Sequence, residues 1–136
     1  MPNYSRNLAD ASFAKSIALP AAAGTVVSPS IDLGQPLDQS LEQIEFEISV
    51  PATPSLADNA TLIFNVHDSA DNSSFAAIDP SIITTITGVA TSQGGPTKTV
   101  RFRLPSQTRR YVRLSIVESA SGGNNSAVSA TLAAYF

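Results

Sequence analysis

Lys98-Thr99-Val100-Arg101-Phe102-Arg103-Leu104 places Val100, Phe102 and Leu104 at every second position, with Arg101 and Arg103 between them. Pro105-Ser106-Gln107-Thr108 carries turn chemistry, and Arg109-Arg110-Tyr111-Val112-Arg113-Leu114-Ser115-Ile116-Val117 restarts the alternation. Successive strand side chains point to opposite faces, so the pattern predicts strands with one buried face and one polar, cationic face. Read together with its turn, the stretch is an arginine-studded β-hairpin. It decides the fold class as all-β.

Moving outward from this stretch, the same period of two recurs. Gln43 to Val50 alternates Ile44, Phe46, Ile48 and Val50 against Glu45 and Glu47, and Ala60 to His67 alternates through Leu62, Phe64 and Val66. Ile82 to Val89 is β-branched and strand-prone. After Gly122-Gly123-Asn124-Asn125, residues Ser126 to Phe136 alternate through Val128, Ala130, Leu132, Ala134 and Phe136. Ser16 to Leu19 reads as a short edge strand, and Thr25 to Leu33 as a strand interrupted at Pro29, which confines it to an edge, a bulge or two pieces. About eight short strands separated by Pro, Gly and Asn turns predict a single antiparallel β-sandwich or jelly roll. The domain spans 16–136, preceded by an extended N-terminal arm over 1–15.

The chain has 136 residues, enough to bury a core without staples, and it holds no cysteine. Thiol catalysis and thiolate metal sites are therefore excluded. A single histidine, His67, removes any multi-histidine metal centre. The net charge of −3 argues against a general nucleic-acid binder. No signal peptide and no apolar run long enough to cross a membrane is recognised, so we expect a soluble protein made in the cytoplasm. Only 14% of residues are charged, as at covered surfaces.

Three constellations bear on catalysis or metal binding. The loop His67 to Ser74 offers Asp68, Asp71, Asn72 and Ser73 as oxygen ligands for calcium, but it matches no EF-hand spacing, and the same residues dominate turns. His67, Asp68 and Ser69 are consecutive and cannot form a catalytic triad, which needs each member within hydrogen-bond reach of the next. Glu45 and Glu47 lie about 6.5–7 Å apart along one strand, a glycosidase-like separation without a cleft, and read as a solvated face. We therefore expect no catalytic residue, no cofactor and no metal.

Lys98, Arg101, Arg103, Arg109, Arg110 and Arg113 are six of the eight Lys/Arg residues, confined to sixteen positions. Arginine suits bidentate carboxylate contacts and partly buried interfaces. Two readings stand: a solvated face that blocks edge-to-edge aggregation, or a docking surface for an acidic partner such as the Glu42/Glu45/Glu47 face of a neighbouring copy.

The order of these elements resembles the Bbp16-like jelly rolls, a family of tailed-phage capsid decoration (cement) proteins. The resemblance rests on Ser28-Pro29-Ser30-Ile31-Asp32-Leu33-Gly34, the strand at 44–50, and Ala60-Thr61-Leu62-Ile63-Phe64 running into an Asp/Ser loop and Phe75. It continues through Arg103-Leu104-Pro105, Arg110-Tyr111-Val112-Arg113-Leu114, Gly122-Gly123 and the small-residue strand at 126–136. The resemblance implies a non-enzymatic virion protein on the outer surface of an icosahedral head. Such a protein binds the major capsid protein at subunit junctions and itself as a dimer or trimer, with neither nucleic acid nor membrane as partner. Terminal arms supply contacts in such proteins. The expected interface residues are accordingly Tyr4, Arg6, Phe13, Arg101, Arg103, Arg109, Arg110 and Arg113. The rival reading is a carbohydrate- or receptor-binding sandwich of a phage fibre or spike, which the fold alone does not separate.

Overall fold

The computed structural model describes residues 9–34, 45–79 and 81–135. These form ten strands: β1 (Ala9–Ala18), β2 (Gly24–Val27), β3 (Ile31–Asp32), β4 (Glu45–Val50), β5 (Thr61–Ser69), β6 (Ala76–Ala77), β7 (Ile83–Thr87), β8 (Lys98–Arg103), β9 (Tyr111–Glu118) and β10 (Ser129–Tyr135). All pairings are antiparallel, and no helix occurs among the described residues. The first sheet runs β1-β10-β4-β8, and the second runs β2-β9-β5-β6, with β3 also on β9 and β7 also on β5.

Both edges of the second sheet are broken strands. β2 and β3 pair successive stretches of β9, and β7 and β6 pair successive stretches of β5. Proline cannot donate to a ladder, so the break expected at Pro29 falls between β2 and β3. Ser28 carries the pairing across it: its N–H donates to the Leu114 carbonyl, and its Oγ accepts from the Leu114 N–H, each at 2.9 Å. With each broken edge counted as one strand, eight strands remain in the orders 1-8-3-6 and 2-7-4-5. That is a jelly roll.

The core fills the space between the sheets. Ile48, Val50, Leu62, Phe64, Val66, Leu114, Ile116 and Leu132 are each at most 1% exposed. Each such side chain contributes about 1.5–3 kcal/mol of burial, offset largely by chain entropy. The alternation that predicted these strands thus also named their inner faces.

Two expectations change. Residues 98–117 are not a hairpin: β8 pairs β4 in the first sheet, whereas β9 pairs β5 and β2 in the second. The turn at 105–108 exists, with the Thr108 N–H donating to the Pro105 carbonyl at 3.0 Å, but it carries the chain from one sheet to the other. Alternation fixes which residues face inward and says nothing of which strand lies alongside. The strand expected at 16–19 reaches back to Ala9 in β1: of the expected arm, Ala9, Ala14 and Lys15 pair with β10, and the register shifts between Ala9 and Ala14. Residues 1–8 lie outside the described residues.

Candidate functional site

The expected cationic face is divided between the two sheets, and carboxylates of the same chain neutralise most of it. On the outer face of the first sheet, antiparallel register sets Arg101 opposite Glu47 and Arg103 opposite Glu45. Arg101 Nε donates to Glu47 Oε2 at 2.8 Å, and its Nη1 lies 3.6 Å from Glu45. Arg103 Nη2 is 3.9 Å from Glu45. Tyr135, opposite Glu45 on the other side, donates its hydroxyl to Glu47 Oε1 at 3.2 Å and lies under the Arg101 guanidinium. Burial, reinforced by the Glu47 charge, pushes the Tyr135 hydroxyl pKa upward.

Glu47 is therefore only 9% exposed, which corrects the solvated reading of the Glu45/Glu47 pair. Cross-strand Arg101 and Tyr135 cover it. The acidic face suggested for a neighbouring copy is occupied within the chain, and Glu42 lies outside the described residues.

The crossing segment brings Arg109 and Arg110 to the second sheet. Both Asp68 oxygens are engaged by Arg109: the backbone N–H donates to Oδ2 at 2.8 Å, and Nη2 donates to Oδ1 at 2.7 Å. This hydrogen bonding holds the Arg109 guanidinium pKa above its usual range. Asp68 is 6% exposed and belongs to β5, which continues two residues beyond the end expected at His67. Arg110 forms a forked pair with exposed Asp32 at 2.8 and 3.0 Å, which lowers the Asp32 pKa. Arg113 lies beside His67 across the β9–β5 ladder, with its guanidinium 3.9 Å from the Phe75 ring centroid. Burial and the Arg113 charge depress the His67 pKa.

Phe13 is half-buried and packs against the core, while Tyr4 and Arg6 lie outside the described residues. The structure thus places Arg101 and Arg103 on Glu45 and Glu47, Arg109 on Asp68, Arg110 on Asp32 and Arg113 beside His67 and Phe75, and it forms no single arginine surface.

The Asp68–Ser74 loop is closed by its own side chain. Asp71 Oδ1 accepts from the N–H groups of Ser73 and Ser74, both at 2.9 Å, and from Ser69 Oγ at 2.8 Å. These bonds lower the Asp71 pKa to about 2. The arrangement is an Asx-type turn. Among the described residues, no group of three or more His, Cys, Asp or Glu is placed to hold a metal ion.

A different surface lies open. On the outer side of the second sheet, register aligns Thr25, Val117, Ile63 and Thr85 in one row across β2, β9, β5 and β7. The next row is Val27, Ser115, Asn65 and Ile83. Neither row carries a charge. Val27 (38%), Ile63 (37%), Ile83 (54%) and Val117 (38%) are four of the five exposed large hydrophobic residues among those described. His67 and Arg113 form the following row and bound the patch at one end. Asn65 Oδ1 sits enclosed in the patch and accepts no hydrogen bond.

Reading the sequence for inward residues passed over this patch. Its signal is apolar residues on both parities of a strand: Ile63 between Leu62 and Phe64, Val117 after Ile116, and Ile83 after Ile82. A strand with one solvated face needs apolar residues on one parity only. Apolar residues on the second parity mark a face that something covers.

A family model described as Bbp16 matches residues 13–131, which take in most of both sheets. No curated protein matches the chain.

Proposed function

The chain belongs to the Bbp16 family, and from this premise we propose that it is a structural virion protein. It decorates the outer surface of a phage head, binds the major capsid protein at subunit junctions and associates with itself. The observation that carries this reading is the open face of the second sheet. Two rows of uncharged, largely β-branched residues, with Val27, Ile63, Ile83 and Val117 more than a third exposed, form an apolar patch of the kind that marks an interaction site.

The acid groups support a structural role. Glu47 is held by Arg101 and Tyr135, Asp68 by Arg109, Asp32 by Arg110, and Asp71 by its own turn. Carboxylates so engaged fasten strands and loops together. Weak binding per copy suffices on a head, because symmetric copies engage many sites at once.

The test is direct. Purified protein mixed with undecorated heads of its own phage should co-sediment with them and saturate. Protein that stays in the supernatant with intact heads contradicts the proposal.

A further inference from the structure

We propose that Arg113 receives a carboxylate of the docking partner, from a segment that lays apolar side chains over the open face of the second sheet. The proposal rests on the docking role above and names the chemistry of what docks.

Arg113 stands apart from the other arginines. Arg101, Arg103, Arg109 and Arg110 each hold a carboxylate of their own chain. Among the described residues, no carboxylate lies within ion-pair distance of Arg113, and its Nε is enclosed with no acceptor. His67, directly across the ladder, is neutral or positive and supplies no counter-charge. Stacking at 3.9 Å on the Phe75 ring holds the guanidinium in place. The group is therefore a positioned cation, partly stripped of water, with its counter-ion missing. A carboxylate matches its donor fork and relieves that cost.

Position names the rest of the partner. Arg113 shares its face with the apolar patch: along β9 the Ser115 row lies about 7 Å away and the Val117 row about 13–14 Å away. An extended segment lying along β9 meets this spacing with an acidic residue and apolar residues two and four positions from it. A small anion on Arg113 would leave Val27, Ile63, Ile83 and Val117 uncovered. A nucleic-acid backbone would find one arginine beside two rows without charge, where such binding needs several cations. The chain's own Glu47, Asp68, Asp32 and Asp71 are already engaged, which points to another protein as the source.

Co-sedimentation with undecorated heads of its own phage tests this on the full chain. Arg113→Gln should bind them at least about tenfold more weakly than the wild type, and Arg113→Lys should keep part of the affinity. Circular dichroism and melting temperature of both variants should match the wild type. Lys98→Gln, which removes one charge from the other sheet, should bind as the wild type does. On heads carrying Arg113→Lys, a water-soluble carbodiimide joins the introduced amine to a touching carboxylate with loss of water. Mass spectrometry should place that link on an Asp or Glu of the major capsid protein, with apolar residues two and four positions away. Arg113→Gln binding at wild-type strength, or a link to a second copy of this chain, overturns this proposal alone. Wild-type protein that leaves the heads bare overturns the docking role and this proposal with it.

Discussion

Arg109 and Asp68 are 41 positions apart and meet at 2.7 Å, fastening the segment that crosses between the sheets to the end of β5. Asp68 is 6% exposed and receives both the backbone N–H and the guanidinium of Arg109. Asp68→Ala removes every one of these side-chain acceptors at once and should cost about 2–3 kcal/mol. Asp32→Ala breaks the exposed pair with Arg110 and should leave the denaturation midpoint nearly unchanged. Urea unfolding of the two variants compares them, and equal losses would refute the distinction.

Ser28 bridges the break at Pro29 by lending its hydroxyl to the Leu114 N–H. Ser28→Ala leaves that buried donor unpaired and should destabilise by about 1–3 kcal/mol. Ser28→Thr keeps the hydroxyl and should recover part of the loss. Thermal melts of both variants measure it.

Gly122 sits against the buried Glu118 side chain. A Cβ at this position would lie 2.5 Å from Glu118 Cγ and Oε1. Glu118 is 3% exposed and takes a hydrogen bond from Asn125, so it has little room to yield. Gly122→Ala should cost about 1–3 kcal/mol through overpacking, read as a lower denaturation midpoint at an unchanged slope.

His67 makes stability depend on pH. Its pKa in the folded chain lies below the ordinary 6.5, through burial and then the Arg113 charge. As the pH falls through about 6.5, the unfolded chain takes up a proton that the folded chain resists. Stability is therefore lost with falling pH and levels off once the pH passes below the folded-state value. His67→Gln should show a smaller drop in melting temperature between about pH 7 and pH 5 than the wild type. An identical drop would place the effect elsewhere.

The core of this fold was legible because burial imposes a period of two on every inner strand. Leu62, Phe64 and Val66, and Val112, Leu114 and Ile116, were readable as inward faces from their spacing, and Pro29 announced a broken edge. Pairing was not legible. Arg101 and Arg113 share one continuous pattern yet stand on different sheets, because jelly-roll connections return the chain to the opposite layer.

The fate of the arginines followed from the same gap. Their partners Glu47, Asp68 and Asp32 are 54, 41 and 78 positions away, separations that no local pattern reports. The open face was written in the chain as apolar residues on both parities at Ile63 and Val117. Weighing that signal required knowing that neither residue is covered from within.

A reconstruction of heads carrying the bound protein tests the docking account most directly. It should show jelly-roll density on the outer surface at junctions between capsid subunits, with the Ile63–Val117 face covered. Heads incubated with saturating protein that show no added density would contradict the account.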